Sequence, residues 1–336
     1  MNTSEKSELG SKNHFVNYAQ KNVSPAQAPR VSIGMPVYNG GEELAHALNS
    51  LRDQTFSDYE LIITDNVSSD NTSEICRQYA AADLRITYIR NAEPVHPMEN
   101  FNRSLHLARA PYFMWAAHDD IREPEFISTL VKALDDNPSA VLAFCGFDNI
   151  DAEGKCVRQY HEDWGRVFSS SKFYQYVAMT LWDDARTQKA NAPIYGLFRR
   201  SALFGFGGMK PVHDAVFCGE DILVLLRLLT IGEFQYVDTV LFHYRVRAHA
   251  TRAPGESVLK YVTSRALEKK ENHRGSLILF LSRNHAYHRE MRDIIIDDSP
   301  LSLFAKLAIY TLLFAREIWV PMKTIPLALI HELRAN

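Results

Sequence analysis

Residues 31–72 read VSIGMPVYNGGEELAHALNSLRDQTFSDYELIITDNVSSDNT, and their hydrophobic pattern decides the fold. VSIGMPVY is an apolar run closed by Asn39-Gly40-Gly41, the pattern of a buried strand ending in a turn. EELAHALNSLRD, 42–53, carries apolar residues at helical spacing. YELIITD, 59–65, is a second buried strand. The Ser, Asp and Thr residues behind it suit a turn and a helix N-cap. Strand, helix and strand of these lengths make a βαβ unit.

The same rhythm continues outward. RITYIRN, 85–91, is a third strand, and MENFNRSLHLARA is an amphipathic helix. YFMWAAHDD is an apolar run that ends on two acids. Pro124 marks a helix start, and AVLAFCGFDNI, 140–150, is another strand. This alternation predicts an α/β fold with a mostly parallel sheet flanked by helices. The second half is less regular. A helix is expected near 171–182, NAPIYGLFRRSAL reads as a strand containing a glycine, and GFGGMK reads as a turn. A strong helix runs from Glu220 to about Ile231, stopped by Gly232, and VDTVLFHYRVR follows as a strand.

Composition sets the class. The chain has 336 residues, 46% apolar and 23% charged, as expected of a globular protein. A net charge of -3 gives no nucleic-acid footprint. The four cysteines, Cys76, Cys145, Cys156 and Cys218, have no CxxC spacing and read as reduced thiols of a cytoplasmic protein. Residues 1–29 are polar and read as a flexible leader. Residues 301–330 are apolar but interrupted by Lys306, Arg316, Glu317, Lys323, Pro321 and Pro326, too broken for a spanning helix of roughly 20 residues. They suit a core or dimer helix, or one lying on a membrane surface.

In parallel sheets ligands bind beyond the carboxyl ends of the strands. Tyr38-Asn39, Asp65-Asn66 and His118-Asp119-Asp120 all fall there. Adjacent carboxylates repel one another, and a hard divalent cation would offset that. A solvated turn would explain the same pair without function. Asp65 would either contact a base or ribose edge or cap the next helix. Glu220-Asp221 opens an apolar helix, where acids complement the macrodipole or supply a general base. Gly219 allows backbone and substrate to approach closely.

In this order the pieces resemble a family 2 glycosyltransferase with the GT-A nucleotide-sugar-binding fold. The resemblance covers residues 31 to about 250 and rests on four segments. These are 31–72, NFNRSLHLARAPYFMWAAHDDIREPEFI, YGLFRRSALFGFGG and GEDILVLLRLLTIGEFQYV. It implies a GT-A domain over 30–250, with a nucleotide-sugar half at 30–150 and an acceptor half at 151–250, and a helical region over 251–336. Pro36, Val37, Tyr38, Asn39, Glu42, Asp65, Asn66, Asn102 and His118 would line the donor site. Gly196, Arg199 and Gly219 would lie on the acceptor side. Asp119, with Asp120 nearby, would hold Mg²⁺ or Mn²⁺, and His249, or else His243, would be a further ligand. Arg245 and Arg247 would meet diphosphate charge or be solvated. Asp221 would be the catalytic base, with Glu220 helping to place the acceptor. Ala117 departs from the pattern, since the family often has an acid there, so metal affinity would be modest.

The activity implied is inverting transfer of a sugar from a nucleoside-diphosphate donor, UDP or dTDP, to a hydroxyl acceptor. A glycan or lipid-linked acceptor, polysaccharide or glycolipid assembly, and peripheral contact with the cytoplasmic face of a membrane through 301–334 complete the expectation. Its rivals are a nucleotidyltransferase, a binding protein without catalysis and a membrane scaffold. PVYNGGEELAH lacks the Lys or Arg with which a nucleotidyltransferase would grip a triphosphate.

Overall fold

The computed structural model describes residues 28–160, 167–168, 171–181, 192–212, 219–246 and 285–315. Leader residues 1–27, Cys218, Arg247, His249 and residues 316–334 of the tail lie outside that set.

The predicted βαβ unit is present. β1 (Val31–Val37) is buried throughout, α1 spans Glu43–Arg52, and β2 (Tyr59–Asp65) pairs parallel to β1 with Val37 opposite Asp65. Leu44, Ala47, Leu48 and Leu51, at helical spacing, are the buried stripe of α1. α2 (Thr72–Ala82) leads to β3 (Ile86–Arg90), and α3 (Pro97–Leu107) leads to β4 (Tyr112–Trp115). Strands β3, β2, β1 and β4 form the parallel half, with their carboxyl ends on one edge.

The second half joins through antiparallel pairs. β5 (Ile121–Arg122) is followed by α4 (Phe126–Asp136), β6 (Ala140–Ile150) and β7 (Cys156–Tyr160). α5 spans Lys172–Leu181. NAPIYGLFRR divides into a 3-10 turn, Ala192–Tyr195, and a three-residue β8 (Leu197–Arg199), which lies antiparallel between β4 and β6. Gly196 separates them. An added Cβ there would lie 2.4 Å from the Ala143 carbonyl oxygen, so the glycine is required by close approach of two strands. α6 (Arg200–Gly205), α7 (Glu220–Ile231) and β9 (Glu233–Arg245) complete the domain, and β9 runs parallel to β6. The described sheet has the order β3-β2-β1-β4-β8-β6-β9-β5, with β7 on β6. It is a mixed α/β sheet whose parallel part carries the donor-side motifs.

Two helices follow. α8 (285–293) continues into a π turn, Ile294–Asp298, and packs on α7 through buried Met291, Ile294 and Ile295. Arg227 of α7 pairs with Glu290. α9 (303–315) buries Ile309 and Leu313 but leaves Leu303 73%, Phe304 83% and Phe314 52% exposed. No helix among the described residues is long and apolar enough to cross a membrane.

Candidate active site

At the carboxyl edge of β1, β2 and β4 lies a cleft of about 300 Å³. Pro36, Val37 and Tyr38 come from β1 and the turn behind it, and Asn66 follows β2. Pro97, Asn100 and Phe101 come from α3. Ala117, His118 and Asp119 follow β4, and Tyr195 ends the 3-10 turn. Tyr38 is 58% exposed, an aromatic surface standing at the mouth. A larger hollow, about 530 Å³, runs along α4 and β9 but holds none of the predicted site residues.

The turns around this cleft are tied to each other. Asn39 has a left-handed backbone (φ 50°), which Asn tolerates. Its amide donates to Ser68 Oγ at 2.9 Å, and its Oδ1 accepts from the Ser69 amide at 2.8 Å. The Gly40 amide donates to Thr72 Oγ1 and the Gly41 amide to Asp70 Oδ2. Val67 is also left-handed, at φ 62°. For a β-branched residue that is a strained conformation, costing about 1–3 kcal/mol. Glu42 is exposed at the N-cap of α1 and lies outside the cleft lining.

Asp65 and Asn66 part ways. Asp65 is fully buried, and its carboxylate accepts from Ser68 N and Oγ, Ser73 Oγ, Tyr88 Oη and Arg90 Nη1, at 2.6–3.0 Å. Burial alone would raise its pKa, but the bonds from Ser68, Tyr88 and Ser73 outweigh it and hold the carboxyl below the usual range. Asn66, which lines the cleft, is fixed by Val95 and Asn91. Asn102 clamps the glycine-rich turn instead of lining the cleft. Its Nδ2 donates to the Met209 carbonyl at 2.6 Å, and its Oδ1 accepts from the Met209 amide at 2.9 Å.

Asp119 and Asp120 also face different surroundings. Asp119 lines the cleft, while Asp120 is 1% exposed and accepts from the Arg245 amide through Oδ1 at 2.9 Å. Its Oδ2 has no hydrogen bond among the described residues. Burial, then the neighbouring Asp119 charge, push the Asp120 carboxyl well up. Arg245 is buried, so it is not solvated. Its Nε donates to the Asp119 carbonyl at 2.9 Å and its Nη1 to the Asp151 and Ala152 carbonyls. The β9 end therefore fixes the backbone of the acid pair.

His243 stands apart from the cleft lining. Its Nδ1 meets Asp148 Oδ1 at 2.5 Å and its Nε2 meets Glu123 Oε1 at 2.8 Å. The Asp148 bond raises its pKa, burial opposes that, and the Glu123 bond adds to the rise. Arg199 sits at the opposite end of β4, across from Tyr112. It donates to the carbonyls of Ala140, Leu134 and Asn137 and so holds the end of α4. Among the described residues no group of three or more His, Cys, Asp or Glu is arranged to hold a metal ion. Asp119 offers one accessible carboxylate. That fits an ion held mainly by waters and substrate phosphates, the usual manner of Mg²⁺.

Glu220 and Asp221 open α7 as predicted, and both are buried. Asp221 Oδ1 accepts from the Ile222 amide at 2.9 Å. Gly219, at φ 90°, is the N-cap, and an added Cβ would lie 3.0 Å from the Tyr287 ring of α8. Another residue there would be strained in its backbone and would press on the Tyr287 ring. The 3-10 turn that brings Tyr195 to the cleft beside Asp119 also packs on α7. The Tyr195 phenol is held well above its ordinary range by burial first, then by Tyr244, Asp120, Asp119 and Asp221. Tyr195 opens the YGLFRRSALFGFGG segment, but of that segment only Gly196 and Arg199 were expected in the site.

Comparison with known proteins gives the family and the fold. Residues 32–203, just over half of the chain, match the family described as "Glycosyl transferase family 2". An uncharacterized glycosyltransferase of Methanocaldococcus jannaschii is 27% identical over 154 residues, covering 45% of this chain and 53% of that one. The chain spans less than two thirds of the curated relatives it matches, 62% of one and 16% of another. Among solved structures, S. aureus TarS 1-349 in complex with UDP-GlcNAc superposes with TM-score 0.61 at 15% identity, covering 85% of this chain and 71% of that one. A Pyrobaculum calidifontis mannosyltransferase in complex with GDP-Man and Mn²⁺ gives TM-score 0.51 at 15% identity, covering 90% and 88%.

Proposed function

The chain belongs to glycosyl transferase family 2, and we propose that it moves a sugar, with inversion, from a nucleoside-diphosphate donor to an acceptor hydroxyl. The observation that carries this reading is the cleft shared by Tyr38, Asn66, Asp119 and Tyr195, whose turn packs on α7, the helix that Glu220 and Asp221 open. The base of the donor stacks among Pro36, Val37 and Tyr38, with Asn39 and Asn66 at its edge. Asp65 acts from behind, holding the Ser68 turn that in turn binds Asn39. Mg²⁺ or Mn²⁺, held by Asp119 and the diphosphate, would neutralise charge on the departing nucleotide. The acceptor oxygen attacks the anomeric carbon as the bond to the β-phosphate oxygen breaks. Asp221 takes the acceptor proton, and Glu220 orients that hydroxyl. Holding the partners in line supplies much of the acceleration, several kcal/mol in order of magnitude.

UDP or dTDP is the proposed carrier. UDP is favoured by the TarS structure solved with UDP-GlcNAc. The open apolar face of α9, with Leu303, Phe304 and Phe314 exposed, supports a lipid-linked acceptor in glycolipid or polysaccharide assembly and a peripheral seat on a cytoplasmic membrane face. A panel of nucleotide sugars with Mg²⁺ or Mn²⁺, scored by thermal shift and then by release of nucleoside diphosphate, tests the reaction. Stabilisation and turnover by one donor are expected, and indifference to every donor overturns the reading. Flotation with anionic liposomes tests the membrane seat, which fails if Phe304→Ser/Leu307→Ser floats as well as the wild type.

A further inference from the structure

Where the cleft meets α7 stands a side chain with hydrogen-bonding capacity to spare: Tyr195 lines the cleft with Asp119, and its turn packs on the helix that Asp221 opens. Tyr195 has its ring packed against Phe242 and Tyr244, with centroids at 5.7 and 6.3 Å. Its backbone is equally fixed. The Gly196 amide donates to the Pro193 carbonyl at 3.0 Å, and Gly196 lies flush on Ala143. The turn carrying it packs among β4, β6 and α7. No hydrogen bond engages the Tyr195 hydroxyl among the described residues, although the side chain lines the cleft. A phenol, with an ordinary pKa of about 10, is protonated across the neutral range and offers an O–H.

Resting on the transferase reading, the order of groups across the site follows. The nucleoside lies at β1 and β2, the diphosphate at Asp119 and the acceptor hydroxyl at Asp221. The piece between diphosphate and acceptor is the sugar in transit. We propose that the Tyr195 hydroxyl donates a hydrogen bond to the transferred sugar and thereby selects which sugar is accepted. A rigid polar group reserved for one substrate hydroxyl discriminates strongly, because a donor lacking that hydroxyl leaves it unpaired.

The test is titration calorimetry with Mn²⁺ present, on wild type and Tyr195→Phe, which keeps the ring contacts. UDP, UDP-glucose, UDP-galactose, UDP-GlcNAc, GDP and GDP-mannose are the probes. For the sugar nucleotide that wild type binds best, Tyr195→Phe weakens binding by about tenfold, while the bare nucleoside diphosphate binds within about twofold of wild type. Deoxy analogues of that sugar supply a second readout. Wild type loses affinity for one of them, and Tyr195→Phe does not lose it again. Equal weakening of nucleotide and sugar nucleotide, or no change in either, overturns the assignment alone. Wild type that binds no probe overturns the transferase reading along with it.

Discussion

Asp65 ends β2 and Asp119-Asp120 follow β4, at one edge of one parallel sheet. Around Asp65 the protein supplies two serines, a tyrosine and an arginine, and the charge is quenched. Around Asp120 it supplies a backbone amide to one oxygen and a second acid next door. Arg122 is close enough to act electrostatically, yet burial lowers its own pKa, and two of its nitrogens have no hydrogen bond. A carboxylate at a strand end is therefore not a binding group by position. The Asp65 carboxylate draws its hydrogen bonds from the protein itself, whereas Asp120 Oδ2 has none among the described residues, and burial with Asp119 next door pushes that carboxyl up.

Substitutions can separate these two kinds of acid. The largest effect is expected at the reacting end, where Asp221→Asn should lower transfer about 10²–10⁴-fold in a steady-state assay while nucleotide binding persists. At the quenched end, Asp65→Ala should cost about 1–3 kcal/mol in urea unfolding, because Ser68, Ser73 and Tyr88 lose their acceptor. The comparison breaks if Asp65→Ala folds as stably as wild type. Asp65 also predicts a pH effect. Its folded pKa lies below the unfolded value of about 3.9, so its stabilisation is present above that value and fades as pH falls through the folded pKa. Val67→Gly should relieve the left-handed strain beside Asn66 and stabilise by about 1 kcal/mol, read as a rise in Tm. His243 should give the smallest change. Its folded pKa is raised, so its contribution is complete below about pH 6.5 and is lost as pH climbs through the folded value. His243→Gln should flatten the Tm profile over that alkaline limb.

Much of this was legible in the chain. β1, α1, β2 and α7 carry long, clean periodicities, and the edge on which ligands gather follows from parallel order alone. β5 and β8 are two and three residues long, too short for a period to register. Asn102 and Arg199 owe their work to partners 107 and about 60 residues away, contacts no local pattern encodes. The quenching of Asp65 was half visible. Ser68 and Ser73 were in view, but Arg90 reaches it only through the β2–β3 register, which sets Asp65 opposite Arg90. Tyr195 sits in a short aperiodic turn, and its placement depends on β4, β6 and α7 all at once.

The contact of Tyr287 with Gly219 bears on how this chain could be rebuilt. A protein engineer who trims the chain at about 250, or swaps in another tail, removes the surface on which the head of the Glu220–Ile231 helix rests. A graft must bring a planar ring to that same glycine, or the first turn of that helix loses its footing.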